Sequence, residues 1–360
     1  MAKIGKITLD LSPEPGNPRN SEGAFYSLPD GGIVFCYSKF IGDSASDDGY
    51  SCIAWRISGD QGETWSDDRI LYRTEDHQAK NIMSVSFLTM QNNDIGLFYG
   101  IRKGWHDTRL HLRRSSDLGQ SWSEAVSCIP SLGYYVTNCD RVIRLSSGRI
   151  LVPANLHRMK GLDTEDWASF DGRGIPCLFY SDDDGKSWQE GKDYCVTNMP
   201  HSRSGLQESG LLELKSGVVW QWMRTDLGRQ YEAFSVNGGD TWTTPTPSRF
   251  TAPNSPLSIK RIPTDDRLLA VWNPIPNYNG RANSKAGWGR TPLVMATSSD
   301  DGKTWTEPVI IEDDPEHGYC YVAIHFCQDF VLLSYCAGGP ADGSCLARTV
   351  IRKIPLSVLP

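Results

Sequence analysis

The chain has 360 residues, 39% of them hydrophobic and 22% charged, and a formal net charge of −7. A chain of this length buries roughly 75% of the surface it exposes when unfolded, ample for a self-supporting core. Its basic residues form no run that would follow nucleic acid, and no segment reaches the length of a membrane span.

The N-terminal stretch MAKIGKITLDLSPEPG lacks the apolar run of a secretory leader. The expected location is cytoplasmic, or secreted or periplasmic if a leader has been removed. Ten Cys lie mostly in apolar stretches such as IVFCYS, FCQDF and LLSYCAG, with no CxxC pair. They read as buried free thiols of a reducing compartment rather than zinc ligands. The seven His are scattered and form no HExxH, so no metal and no organic cofactor is expected.

Short apolar or alternating runs bounded by Gly, Pro, Asn and Asp follow one another along the chain. They include GGIVFCYSKF, SCIAWRIS, DIGLFYGIR, LHLRRSS, RVIRLSSGRILVPANL, CLFYSDD, GLLELKSGVVWQWM, LLAVWNP, PLVMATSS and FVLLSYCAG. Each predicts a strand, and no stretch has sustained helical periodicity. The longest irregular segments, 158–175 and 274–290, are expected as loops over a central pocket.

Between these runs one octapeptide pattern, Ser-x-Asp-x-Gly-x-(Thr/Ser)-Trp, occurs five times. It begins at Ser58, Ser115, Ser181, Ser235 and Ser298, and only the fourth copy departs, with Asn237 for Asp. A repeat of roughly 60 residues marks an array of similar supersecondary units. Asp and Gly favour a tight turn, with Asp bonding backbone N–H groups and Gly taking φ > 0, and the Trp can fold beneath it. Each box is expected at a hairpin, with a strand pair on either side making one four-stranded blade.

These octapeptides are Asp-boxes, and through them the chain resembles the sialidase superfamily. The resemblance covers nearly the whole sequence. It implies an all-β fold, a six-bladed β-propeller of four-stranded antiparallel blades spanning 1–360 as one domain. The last blade would combine strands from both chain ends. The boxes would be folding staples on the face away from the active site.

The resemblance also implies site residues. ESGLLELKSGVVWQWMR is similar to the sialidase segment that pairs a catalytic Glu with a carboxylate-binding Arg, which gives Glu208 and Arg224 those roles. GDSASDDGYSCIAWRIS matches the loop carrying the acid/base Asp, selecting Asp47 or Asp48. GRTPLVMATSS places a second clamp arginine at Arg290, with Arg281 the weaker choice. GYCYVAIHF holds the nucleophilic Tyr, either Tyr319 or Tyr321, two positions expected on one face of a strand.

The chemistry gives these types a reason. Sialic acid carries a carboxylate on its anomeric carbon, which would repel a carboxylate nucleophile but not a neutral phenol. An adjacent base activates such a weak nucleophile, an enclosed Asp can donate a proton to the leaving oxygen, and guanidinium groups pair with a carboxylate. Where sialidases begin with Arg-Ile-Pro, this chain has PRNSEGAFYS, and the family spacing back from Gly32 lands on Glu22 with Arg19 just before it. Glu22 would repel a substrate carboxylate, so either Arg19 reaches in or the sugar differs. Glu22 is then a second catalytic carboxylate or an acceptor for sugar hydroxyls.

Polar residues of NIMSVSF, GIRKGWHDTR and TNCDRVIRL are further candidates for sugar hydroxyls: Asn81, Arg102, Lys103, His106, Asn138, Asp140 and Arg141, with His157 at the end of the following strand. Trp105, Trp167 and Trp288 are candidates for stacking. The function implied is an exo-acting retaining glycoside hydrolase releasing terminal sialic acid or a related acidic sugar. The alternatives are a glycosidase of this fold for a uronic-acid-linked or neutral sugar, and a non-catalytic glycan-binding propeller. The expected partner is a glycan, with no nucleic acid and no membrane.

Overall fold

Apolar runs too short for helices become strands in the computed structural model, which describes residues 4–161, 167–196, 200–274 and 284–360. After β1 (Lys6–Leu11), the first blade is β2 (Asn20–Ser27), β3 (Ile33–Phe40), β4 (Ser51–Ser58) and β5 (Arg69–Arg73), antiparallel in that order. The second is β6 (Asn81–Thr89), β7 (Ile95–Gly104), β8 (Asp107–Ser115) and the short β9 (Val126–Ser127). In the third, the inner position is shared by β10 (Tyr134–Val136) and β11 (Ile143–Arg144), both paired to β12 (Ile150–Met159), then β13 (Phe170–Ser181) and β14 (Gln189–Tyr194). A parallel bridge from Tyr134 of β10 to Thr108 of β8 joins these two blades.

The fourth blade is β15 (Gln207–Glu213), β16 (Val219–Arg224), β17 (Arg229–Ser235) and β18 (Thr246–Thr251). The fifth is β19 (Ser258–Arg261), β20 (Leu268–Trp272), β21 (Leu293–Ser298) and β22 (Val309–Glu312). The sixth runs β23 (Cys320–Phe326), β24 (Phe330–Cys336), β25 (Thr349–Pro355) and then β1, so its outer strand comes from the N-terminus. This closure removes an exposed seam between chain ends.

The core lies between neighbouring blades. Trp55, Ile53 and Val34 of the first blade pack on Ile82, Leu97 and Tyr99 of the second. Leu332, Ala323 and Ile351 of the sixth pack on Phe25, Phe35 and Tyr37 of the first. Strands such as β24 are therefore buried on both faces and read as continuous apolar runs.

Each box joins the third and fourth strands of a blade, not the second and third as the hairpin reading placed it. That position explains why there are five: in the sixth blade the third and fourth strands, β25 and β1, are separated by the chain ends. In the first box Asp60 Oδ1 accepts the Thr64 amide at 2.9 Å and Oδ2 the Thr64 hydroxyl at 2.6 Å. Ser58 Oγ accepts the Gly62 amide at 2.8 Å.

The box glycine is left-handed and lies against the preceding blade. A Cβ on Gly119 would meet the Trp55 ring at 2.8 Å, and one on Gly239 would meet Leu178 at 2.4 Å. The box tryptophans plug the same seams: Trp65 joins the cluster between sixth and first blades, Trp122 that between first and second, and Trp305 that between fourth and fifth. Asn237 keeps the pattern, with Oδ1 accepting the Thr241 amide at 3.0 Å and Nδ2 donating to the Thr241 hydroxyl at 2.9 Å.

Segment 158–175 is shorter as a loop than expected, because β12 runs to Met159 and β13 begins at Phe170. Residues 162–166 and 275–283 lie outside the described residues, and with them most of the second expected loop. No helix among the described residues is long and apolar enough to cross a membrane.

Candidate active site

One backbone device recurs at the start of the inner strands. Glu22 on β2, Ser84 on β6, Glu208 on β15 and Tyr321 on β23 all have positive φ, between 47° and 64°. At each, pairing with the next strand slips: between Ser21 and Ala24, Met83 and Ser86, Gln207 and Gly210, and Cys320 and Ala323. These are β-bulges with a non-glycine residue in the left-handed region, a strained arrangement found where a side chain must be re-aimed. All four side chains line one cavity, with Asp47, Asn81, Arg102, Thr108, Tyr134 and Asn138 among the other walls. The third strand of each blade runs parallel to the first, so a box at the third strand's end lies on the face opposite these strand starts.

The bulge separates the two tyrosines. Tyr319 lies before β23 in the hydrophobic cluster between fifth and sixth blades, its ring 6.3 Å from that of Tyr335. The two do not share a strand face, because the bulge breaks the two-residue period. Tyr321 Oη donates to Glu208 Oε1 at 2.8 Å. Arg224 Nη1 donates to Tyr321 Oη at 3.2 Å and lies 2.6 Å from Glu208 Oε2. Burial pushes the Tyr321 phenol well above its ordinary range, and the Glu208 carboxylate adds to this against the pull of Arg224 and Arg290. The phenol is thus neutral at rest, with a carboxylate in contact.

Arg290 is buried, its guanidinium carbon 5.4 Å from the Tyr321 ring centre. It donates to Cys320 Sγ at 3.1 Å and to the Asn254 carbonyl at 3.1 Å. Asn254 Oδ1 also takes Arg224 Nε at 2.6 Å, so one residue orients both arginines. Arg281 lies outside the described residues.

Across the cavity, the structure places Asp47 and not Asp48. Asp47 lines the pocket with its side chain 48% exposed, on the loop between β3 and β4, and ion-pairs with Arg19 Nη1 at 2.6 Å. Asp48 is exposed and does not line the cavity. Enclosure works to raise the Asp47 carboxyl, but the charge and hydrogen bond of Arg19, then Arg102 and Arg224, bring it below the usual range. Glu22 receives Arg19 Nη2 on Oε1 at 3.1 Å and the Ser84 hydroxyl on Oε2 at 2.6 Å. Burial raises its carboxyl to about 7 in spite of Arg19, with the charge of Asp47 adding to the rise.

Arg102 enters the cavity, donates to the Asp47 carbonyl at 3.0 Å and lies over the rings of Trp105 at 4.3 Å and Trp167 at 5.5 Å. Trp105 is buried beneath it, whereas Trp167 and Trp288 are exposed. Asn81 and Asn138 line the cavity, while Lys103 and His106 are exposed on the hairpin beyond it.

Three candidates sit elsewhere. Asp140 pairs with Lys260 Nζ at 2.6 Å and takes the Ile324 amide, tying the third blade to the fifth and sixth. Arg141 is buried against the Leu257 carbonyl. His157 is buried between the Asp171 carbonyl and the Phe170 ring, and burial lowers it to about 4. Sequence reasoning missed Ser84 and Asn254. Ser84 occupies the same bulge position on β6 that Glu22 holds on β2, a signal visible once the inner strands are aligned.

The family model described as a BNR repeat-like domain matches residues 25–333. The anhydrosialidase of Macrobdella decora is 22% identical over 74% of this chain and 34% of its own length. A Bacteroides fragilis sialidase is 23% identical over 59% of this chain and 37% of its own. The chain therefore spans about a third of the length of these curated relatives. The structure of Trypanosoma rangeli sialidase in complex with sialic acid superposes with a TM-score of 0.70 at 16% identity, over 98% of this chain and 58% of the other. That likeness shows the propeller fold. With five Asp-boxes, six blades and a family match over most of its length, the chain belongs to the BNR repeat-like family of the sialidase superfamily.

Proposed function

We propose that the chain is an exo-acting retaining glycoside hydrolase for terminal sialic acid or a related acidic sugar. Tyr321 is the nucleophile, Glu208 its base and Asp47 the acid/base. The observation that carries this reading is the 2.8 Å hydrogen bond from Tyr321 Oη to Glu208 Oε1 at a cavity wall. A buried neutral phenol is a weak nucleophile, and a carboxylate in contact is what makes it reactive.

In the first step Tyr321 Oη bonds to the anomeric carbon and its proton passes to Glu208. The glycosidic C–O bond breaks and the departing oxygen takes a proton from Asp47. In the second step a water gives its proton to Asp47 and its oxygen to the anomeric carbon, while the tyrosine oxygen leaves and recovers its proton from Glu208. Asp47 takes up the acid role when bound substrate covers its half-exposed side chain, because loss of water favours the protonated carboxyl. Arg224 and Arg290 hold the acidic group and balance the charge that develops on the tyrosine oxygen. A glycan is the partner this chemistry requires.

The test is to trap the intermediate with a fluorinated activated glycoside, such as a difluorosialic acid, and locate the added mass by peptide mapping. The expected adduct is on Tyr321, absent from Tyr321→Phe and slow to form in Glu208→Gln. Label on another residue, or turnover by wild type that leaves Tyr321 unlabelled, would contradict the assignment.

A further inference from the structure

The cavity has two unlike walls. On one side is Tyr321, with Arg224 donating to its Oη and the Arg290 guanidinium carbon 5.4 Å from its ring centre, and Arg290 Nε is buried with no hydrogen-bond partner. On the other stand Glu22 and Asp47, bridged by Arg19. Arg19 cannot serve a ligand on that side. Its Nε donates to Ser21 Oγ at 3.0 Å, Nη1 to the Ala45 carbonyl at 3.1 Å and to Asp47 at 2.6 Å, and Nη2 to Glu22 at 3.1 Å. That engages four of the five N–H groups a guanidinium carries. Its carbon lies 4.4 Å over the Phe40 ring and the residue is 2% exposed, so the group is clamped from every side. The cation nearest this wall therefore holds protein carboxylates in place.

Glu22 is what this wall offers a ligand. Its left-handed bulge turns it into the cavity, and Arg19 and Ser84 each fix one oxygen. Each oxygen keeps a second lone pair. An acceptor held in this way suits a hydroxyl and opposes a carboxylate.

We propose that Glu22 sets the specificity of the pocket by accepting a hydrogen bond from a sugar hydroxyl and denying that wall to a carboxylate. The substrate is then a glycoside whose sugar turns a hydroxyl towards Glu22, any acidic group being confined to Arg102, Arg224 and Arg290. This deepens, and rests on, the reading of the cavity as the sugar site of a glycosidase. Glu22 raised to about 7 gives the wall a measurable signature. The groups around it are Arg19 before β2, Asp47 on the β3–β4 loop, Ser84 on β6, Cys139 between β10 and β11, Glu208 on β15, and Tyr321 and Cys336 on the sixth blade. As pH rises through 7 the Glu22 proton leaves, the wall gains a negative charge, and an anion there binds less well.

Wild type and Glu22→Gln, which keeps the shape and the Arg19 contact and turns the Ser84 hydroxyl from donor to acceptor, are titrated with free N-acetylneuraminic acid at pH 6 and 8. Tryptophan fluorescence from Trp105 and Trp167 reports binding, and 4-methylumbelliferyl sialoside, uronide and neutral glycosides report turnover. The expected wild-type affinity for N-acetylneuraminic acid falls about fivefold or more between pH 6 and 8. Glu22→Gln shows no such fall, and binds the acid more tightly than wild type at pH 8. On whichever glycoside wild type prefers, Glu22→Gln raises KM about tenfold with a smaller change in kcat.

A sialoside as the preferred substrate, with affinity independent of pH and KM unchanged in the variant, would overturn the Glu22 proposal and leave the hydrolase reading intact. The pH signature without turnover of any glycoside would overturn the hydrolase reading and leave Glu22 as the selector of a binding site. Neither binding nor turnover would overturn both.

Discussion

Tyr321 Oη and Glu208 Oε1 lie 2.8 Å apart although 113 residues separate them in the chain. Each sits at a left-handed bulge on the inner strand of its own blade, β23 and β15. Two matched distortions of regular strands converge on one hydrogen bond. Left-handed φ costs a non-glycine residue of order 1–3 kcal/mol, and here it falls on the two residues whose chemistry is complementary. Arg224 closes the group by touching both oxygens, so base, phenol and cation form one unit.

Arg224→Ala removes a charged donor from both Tyr321 and Glu208. A hydrogen bond to a charged group contributes about 1.5–3 kcal/mol. The expected loss is about 10- to 100-fold in kcat/KM, with a rise in KM for an acidic glycoside and a smaller one for a neutral glycoside. Initial rates on a pair of such substrates check it, and equal losses on both would remove Arg224 from substrate binding.

Gly210 follows the Glu208 bulge, and a Cβ there would meet the Trp222 ring at 2.4 Å. Trp222 is buried and its indole N–H donates to the Leu257 carbonyl at 2.8 Å, so it has no room to retreat. Gly210→Ala is expected to displace Glu208 from Tyr321, lowering kcat about tenfold or more, and to cost about 1–3 kcal/mol of stability as an overpacked core does. Unchanged denaturant midpoint and unchanged kcat would show that the bulge tolerates a side chain.

Asp183 of the third box accepts the Ser187 amide at 2.9 Å and the Ser187 hydroxyl at 2.6 Å, which hold the turn over the seam with the second blade. Asp183→Ala is expected to lower Tm by several degrees while leaving kcat at 25 °C unchanged, because the box lies on the face away from the cavity. A change in kcat without a change in Tm would contradict the staple role.

His157 and His111 are both lowered to about 4, chiefly by burial, so the fold holds them neutral. An unfolded histidine takes a proton near pH 6.5. Above that pH both states are neutral and the full stability is present. As pH falls from 6.5 towards 4 the unfolded chain gains protons first, and each residue removes up to about 1.4 kcal/mol per pH unit. Melting curves at pH 7.5, 5.5 and 4.5 are expected to show this fall, reduced in His157→Phe relative to its own value at pH 7.5. An equal fall in that variant would mean that His157 is not part of it.

The propeller was legible because its determinants are local: each box is a self-contained turn, and strand-length apolar runs lie between the boxes. The placement of Glu208 and Asp47 at the cavity, and of Arg224 and Arg290 beside Tyr321, was reachable because each keeps a fixed distance from a strand or box in its own blade. The choice between Tyr319 and Tyr321 was not, because a bulge overrides strand alternation and no residue type announces it. Asp140 lies between β10 and β11 and His157 near the end of β12, yet Lys260, 120 residues away, claims the one and the Phe170 ring, across a loop, the other. The same holds for Arg19, whose proximity to Glu22 in sequence did not reveal that Asp47 would share it.

The most direct test of the Tyr321–Glu208 pair is release of 4-methylumbelliferone from a panel of sialic, uronic and neutral glycosides by wild type, Tyr321→Phe and Glu208→Gln, with folding verified by melting curves. At least one glycoside is expected to turn over in wild type, and each variant to lose about 10²-fold or more in kcat, the scale of a lost nucleophile or base. Turnover undiminished in both folded variants, or no turnover of any glycoside by wild type, would contradict the account.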